Sequence, residues 1–291
     1  MSSGEEFNDA ERPTTSDGRQ YHIGLGPGEV AEQVLLVGDP QRAKLVADRF
    51  DHVRITRTNR EFVAYTGDYA GVPMTVLGTG MSTANMEIAI IELCACLSDE
   101  QVGRTTMIRC GSTGALQAGI ELGDLVISQA AYRMESTSTA FVGEGYPAVA
   151  HPEVVMVLAQ AASSAGIRYH VGINATAASF YGAQGRSMPG FPPRRPDITD
   201  QLARQGITNL EMEGSTLLTL ASLRGFRAGM VCAVYATRTE GEFISDELKH
   251  QAEAHCVEAG LEALRRMPPL HAQRGREAIW HPGCLGTEPA S

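Results

Sequence analysis

Two short stretches join glycine and arginine to the end of an apolar run. Val34–Val37 leads straight into Gly38-Asp39-Pro40-Gln41-Arg42, and a helical stretch follows. A glycine at a strand end before a helix start presents backbone N–H groups and the positive end of a helix dipole to an anion, with Arg42 one turn in. The run Thr106–Ile108 ends in Arg109-Cys110-Gly111-Ser112-Thr113-Gly114. There a guanidinium, two hydroxyls and two glycines offer charge, donors and close backbone approach to an anion. The plainer reading of each stretch is a glycine turn with a solvated arginine, and at this level both readings stand.

Two further clusters carry polar groups in unusual company. Leu210-Glu211-Met212-Glu213-Gly214 sets two carboxylates between an apparent strand and the uncharged stretch Gly214–Leu223. They are either partners of a helix N-terminal dipole or groups that face a ligand. Phe180-Tyr181-Gly182-Ala183-Gln184-Gly185-Arg186 is a loop with an aromatic, an amide and a guanidinium. An amide and an arginine can read the carbonyl and N–H edge of a planar base while the phenyl ring lies beside it.

Other patterns exclude chemistries. Gly78-Thr79-Gly80-Met81-Ser82-Thr83 fails the dinucleotide fingerprint at its last position, and no phosphate-binding G-x-x-x-x-G-K-[ST] loop exists, so NAD and ATP are set aside. No G-x-S-x-G elbow is present. His250 and His255 are five apart, which on a helix points them to different faces, and no metal site is expected. The six cysteines lack paired zinc spacings and read as reduced small hydrophobes.

The elements that must position these residues alternate along the chain. Strands are expected at Val34–Val37, Phe62–Thr66, Met74–Leu77, Thr105–Ile108, Leu125–Ser128, Tyr169–Ala175 and Met230–Tyr235, several of them continuously apolar. Helices are expected at Ala84–Leu97, Pro152–Ala165, Glu213–Leu223 and Glu247–Arg266. Strand-then-helix alternation argues an α/β fold with a central sheet and a site at strand C-terminal ends. Residues 1–20 and 268–291 read as tails around one domain at 21–267, since no linker or repeat interrupts the span between. The 291 residues carry 34 acidic and 24 basic side chains, a net charge of −10, which argues against nucleic acid or an anionic membrane as partner. No apolar run reaches the roughly 18–20 residues of a membrane span, and the polar start lacks a leader pattern, so a cytoplasmic protein is expected.

Taken in order, the segments resemble the nucleoside phosphorylase superfamily, nucleoside phosphorylase I type, and within it the uridine phosphorylases. The resemblance runs from His22-Ile23-Gly24-Leu25 to Arg266. It rests on Gly38–Arg42, Arg60-Glu61-Phe62, Arg109–Gln117, Gly123–Val126, Phe180–Arg186, Glu211-Met212-Glu213 and Arg227–Val231. It implies a single-domain α/β fold with a central mixed, partly barrel-like sheet flanked by helices. It also implies reversible phosphorolysis of uridine to uracil and ribose 1-phosphate, with deoxyuridine and thymidine as further candidate substrates. By position, Gly38, Arg42, Arg109 and Ser112 would hold phosphate, with Arg60 reaching in from a neighbouring subunit. Glu211, Met212 and Glu213 would meet the ribose, with His22 from the neighbour. Phe180, Gln184 and Arg186 would receive the base, and Arg238 would assist its departure, so that Arg109, Glu213 and Arg238 carry the catalysis. Phosphate is then a co-substrate and no resident cofactor is expected. The implied assembly is a hexamer built from dimers.

The implied chemistry suits the residue types. Displacing a base by phosphate passes through an oxocarbenium-like sugar, which needs phosphate held at the anomeric carbon, a carboxylate at the sugar hydroxyls and donors for the departing base. Purine-cleaving relatives carry an aspartate near position 236, whereas this chain reads Tyr235-Ala236-Thr237-Arg238-Thr239. Gly80–Asn85 departs from a more glycine-rich stretch that, with a glutamate at the position of Glu61, can hold a monovalent cation in relatives. Ser98–Gly103 reads as an insertion lengthening a surface loop, and Tyr235 replaces a smaller aliphatic residue of the base pocket. The alternatives on this fold are a phosphate-independent nucleosidase, a purine nucleoside phosphorylase and a nucleoside-binding protein without catalysis.

Overall fold

The continuous apolar runs become strands covered on both faces. In the computed structural model, which describes residues 10–285, β1 (Gln33–Val37) is buried at every position. Val34 and Leu36 enter one core with Phe62, Met86 and Leu217, while Leu35 and Val37 enter another with Val46, Ile108 and Leu261. Two apolar surroundings explain why this run spares no position for a polar outward face.

After β1 come α1 (Pro40–Ala47), β2 (His52–Asn59), β3 (Phe62–Tyr69), β4 (Val72–Gly78), α2 (Thr83–Ala95), α3 (Asp99–Val102) and β5 (Thr106–Ala115). The chain continues with β6 (Leu125–Arg133), β7 (Ala148–Val149), α4 (Pro152–Ser164), β8 (Tyr169–Thr176) and α5 (Ile198–Arg204). It closes with β9 (Asn209–Glu211), α6 (Gly214–Arg224), β10 (Arg227–Thr237), β11 (Glu242–Phe243) and α7 (Asp246–Arg274). The strands form one mixed sheet in the order β11-β10-β6-β8-β9-β5-β1-β4-β3-β2. β10 also pairs with β5, so β5, β10, β6, β8 and β9 close into a barrel, from which β1, β4, β3 and β2 extend. This is the α/β fold with a mixed, partly barrel-like sheet expected above.

Parallel pairing sets the C-terminal end of β1 beside the middle of β5 and β10, whose second halves run on past it. Val37 of β1 lies opposite Cys110 of β5, which lies opposite Val231 of β10. Gly38, the second half of β5 and Arg238 therefore share one edge of the barrel, the place where open and closed parallel sheets put their sites.

Four expectations need correction. β5 does not stop at Ile108 but runs on to Ala115, because β10 pairs with it along its length, with a bulge between Val234 and Ala236. The expected loop at Ser98–Gly103 contains α3, whose Ser98 and Gln101 cap each other reciprocally. The expected C-terminal tail is structured up to residue 285: α7 continues through Pro268-Pro269 to Arg274. The cause is tertiary. Fully buried Glu153 on α4 accepts from Arg274 and from the Trp280 N–H at 2.7 Å, and Cys284 packs into the interior. In the expected N-terminal tail, Thr14 bridges Gln20, while residues 1–9 lie outside the described residues. Among the described residues no helix is long and apolar enough to cross a membrane.

Candidate active site

A cavity of about 650 Å³ opens at the shared strand edge. Of the residues singled out from the sequence, all line it except His22, Arg60 and Arg238. The turns are not solvated: Arg42 is 7% and Arg109 5% exposed. β1 delivers Gly38 to the wall, and α1 carries Arg42 just behind it, with Asp39 capping the helix through Gln41 N–H at 2.8 Å.

The Arg109 guanidinium folds back over Gly111. A Cβ built at Gly111 would lie 1.8 Å from Arg109 Nη1, so glycine is what makes room for this side chain inside the barrel. Arg109 Nη2 donates to Glu213 Oε2, and Nη1 lies 3.9 Å from Glu211 and 3.7 Å from Cys232 Sγ. Burial opposes the charge on Arg109, but Glu213 and Glu211 outweigh it and raise its pKa. Arg42 donates through Nε to Glu253 Oε1 at 2.5 Å, and its Nη2 reaches the Tyr235 hydroxyl at 3.4 Å.

The two carboxylates differ in how they are held. Glu211 accepts from Asn174 Nδ2 at 2.8 Å, from the Thr176 hydroxyl and from the backbone N–H groups of Glu213 and Gly214. It therefore caps the start of α6 and is wrapped by donors. Burial still pushes its carboxyl upward, against the pull of Arg109. Glu213 has fewer partners: besides Arg109, its Oε1 accepts from the Ser82 N–H at 2.7 Å. Ser82 pays for this with a φ of +93°, in backbone territory that favours glycine.

A second cluster contains no carboxylate. Gln184 is 3% exposed and donates to Ala177 O at 3.1 Å, and its Oε1 accepts from Arg186 Nη1 at 2.5 Å. The Arg186 guanidinium lies 3.8 Å above the Phe180 ring. Arg238, at the end of β10, donates to Gln184 O at 3.1 Å. Burial and the neighbouring Arg238 bring Arg186 down to about 10, and burial lowers Arg238 as well. Two desolvated guanidiniums beside one amide form a strongly electropositive corner.

His22 and Arg60 sit elsewhere, next to each other. His22 Nδ1 is 2.6 Å from Glu92, Asn59 Nδ2 donates to His22 O at 2.8 Å, and the Arg60 guanidinium lies 5.8 Å from the Tyr21 ring. Sequence reasoning missed Glu253, Lys249 and the Ser82 N–H. Lys249 and Glu253 stand four apart on α7, a polar counterpart to the apolar stripe that marks the helix. Among the described residues no group of three or more His, Cys, Asp or Glu is arranged to hold a metal.

A profile of the Phosphorylase superfamily matches residues 32–267. A uridine phosphorylase of Thermococcus kodakarensis is 45% identical over 97% of this chain and 99% of its own length. A uridine phosphorylase of Escherichia coli strain K12 is 34% identical over 85% of this chain and 97% of its own length. Among solved structures, a Trypanosoma brucei nucleoside phosphorylase that shows uridine phosphorylase activity superposes with a TM-score of 0.81. It is 26% identical and covers 88% of this chain and 100% of its own.

Proposed function

The chain belongs to the phosphorylase superfamily, and on that premise we propose that it is a uridine phosphorylase, a pentosyltransferase that exchanges uracil for phosphate on ribose. The observation that carries the reading is the separation of two guanidinium clusters around one cavity, Arg238 standing behind the wall at Gln184. Arg42 and Arg109 lie beside carboxylates, whereas Arg186 and Arg238 lie beside the Gln184 amide without one.

In this reading phosphate is held by Gly38, Arg42, Arg109 and Ser112. Glu213 and Met212 meet the ribose hydroxyls, with Glu211 behind them. Gln184 and Arg186 pair with the polar edge of uracil, and Phe180 lies beside the ring. As the glycosidic bond breaks, the sugar gains positive charge and the base gains negative charge. Glu213 stabilises the first, and Arg186 with Arg238 stabilises the second; no covalent intermediate with the protein is needed. Phosphate is the co-substrate, and no resident cofactor enters the reaction. The absence of an acid at Ala236 or Arg238 favours a pyrimidine over a purine, since nothing there can protonate a purine nitrogen. Deoxyuridine and thymidine are the further candidate substrates.

The adjacency of His22 and Arg60 on a surface outside the cavity suits their delivery to a neighbouring subunit's site. We therefore read the enzyme as a homo-oligomer of dimers assembled into a hexamer. Six cysteines, most of them buried and none of them in a disulfide among the described residues, suit a reducing cytoplasm and a role in pyrimidine salvage.

The test is uracil release from uridine with and without inorganic phosphate, with inosine in parallel. Release that requires phosphate and spares inosine is the expected result. Equal release without phosphate would move the chain to the nucleosidases, and inosine cleavage would overturn the base assignment.

A further inference from the structure

A phosphate dianion in this cavity meets charges that are already spent. Arg42 is paired with Glu253 and Arg109 with Glu213, while Glu211 stands 3.9 Å from Arg109. Two guanidiniums thus face three carboxylates, and the formal sum around them is negative before any anion arrives. Arg186 offers no relief there, since it is committed to Gln184 and to the Phe180 carbonyl at 2.8 Å.

Lys249 changes the sum. It lines the same cavity from α7, half-buried, one turn before Glu253. Among the described residues its ammonium makes no hydrogen bond and no ion pair. It stands over the Tyr235 ring, with the centroid 5.9 Å away. Tyr235 in turn reaches Arg42 with its hydroxyl, so the ammonium stands on the Arg42 side of the cavity. A lysine rested on an aromatic face keeps three donors uncommitted, and its flexible stem lets them turn toward an incoming oxyanion.

We propose that Lys249 is a phosphate-binding residue, the third cation that this chain itself brings to the anion. The proposal rests on the phosphorolysis reading and deepens it by naming a cation of the chain's own cavity wall that no carboxylate engages, in addition to the Arg60 that a neighbouring subunit would deliver. Lys249→Met keeps most of the stem and removes the charge; Lys249→Arg keeps the charge.

The experiment measures uracil release against phosphate at saturating uridine, and against uridine at saturating phosphate, for the wild type and both variants. It also measures the rise in melting temperature that inorganic phosphate alone confers. Lys249→Met is expected to raise the KM for phosphate about tenfold while the KM for uridine moves less than about twofold, and Lys249→Arg to restore most of the loss. The phosphate-induced stabilisation of Lys249→Met should shrink in step. An unchanged phosphate KM with unchanged stabilisation overturns the assignment, as does an equal rise in both KM values, which would indicate a packing role. The two readings fail differently. Wild-type release that ignores phosphate sinks phosphorolysis and Lys249 together, whereas phosphate-dependent wild type beside an unaffected Lys249→Met sinks Lys249 alone.

Discussion

Arg109→Met is the most informative single perturbation because it acts on stability and chemistry by separable routes. The substitution fills much of the same space but leaves Glu213 and Glu211, with side chains 3% and 0% exposed, without their shared counter-charge. Breaking a buried pair by removing one partner costs about 3–5 kcal/mol. Glu211 keeps its four donors and Glu213 keeps the Ser82 N–H, so the lower part of that range is expected. Denaturant unfolding reads this loss directly. Turnover should fall further than stability explains, with the phosphate dependence most affected, because the guanidinium proposed to face the anion is gone. Adding Glu213→Gln removes the stranded charge and should recover part of the stability, roughly 1–2 kcal/mol. It should recover none of the turnover. A variant that loses stability but retains the wild-type KM for phosphate would refute the placement of phosphate at Arg109.

Gln184→Ala should cost about 1–3 kcal/mol of transition-state stabilisation, read as kcat/KM for uridine, because it also takes from Arg186 one of its two acceptors; unchanged uridine kinetics would remove the base from this corner. Ser82→Gly should relieve backbone strain at φ +93° and raise stability by about 1 kcal/mol while keeping the N–H on Glu213, and a fall in melting temperature would show that the strain is not there. Burial, with Arg227 and Arg274, brings His271 down to about 4 from an ordinary 6.5. It is therefore neutral when folded, and between these values the unfolded chain binds the extra proton. Stability is full above about pH 6.5 and is lost as pH falls toward 4, by at most about 3 kcal/mol. His271→Gln should flatten that slope in melting temperature against pH, and an equally steep slope in the variant would exclude His271 as its source.

What the sequence disclosed and what it hid follow one division. Runs such as Val34–Val37 and Met230–Tyr235 declare themselves because burial on both faces leaves no polar position to confuse the pattern. The second half of β5 conceals itself because Arg-Cys-Gly-Ser-Thr-Gly has the composition of a loop. Its glycines answer to a side chain, not to a turn: Gly111 clears Arg109, and a Cβ at Gly114 would lie 3.2 Å from Arg238. β2 escapes for the opposite reason, since an exposed edge strand with polar residues at most positions shows no apolar face. The continuation of α7 past Pro268-Pro269 could not be read locally, because its anchor, Glu153, lies more than a hundred residues earlier. The site residues that stand in compact motifs were legible for the same reason that the helix-borne ones were not. Glu253 meets Arg42 only because the fold brings α7 against α1 from 211 residues away.

The charges in the cavity make sense together only as a sequence of signs. An acidic chain that binds an anion could simply have left its arginines unpaired; instead Arg109 is matched by a buried carboxylate and Arg42 by the partly buried Glu253. Unpaired, they would hold phosphate tightly whether or not a nucleoside were present, and binding of that kind does nothing for the rate. Arg109 is paired with Glu213. On the placement proposed above, that pairing ties the anion's cation to the sugar's carboxylate, with phosphate drawing on the first and the sugar on the second. On that proposed placement the protein presents positive charge at phosphate, negative charge at the sugar and positive charge at the base. The transition state of phosphorolysis carries the reverse order, with negative nucleophile, positive sugar and negative leaving group. Complementarity to that alternation, fixed in advance by Ser82, Glu211 and Glu253, is what a preorganised site for this reaction requires. A hydrolase, whose nucleophile is neutral, would gain nothing from the first of those three charges.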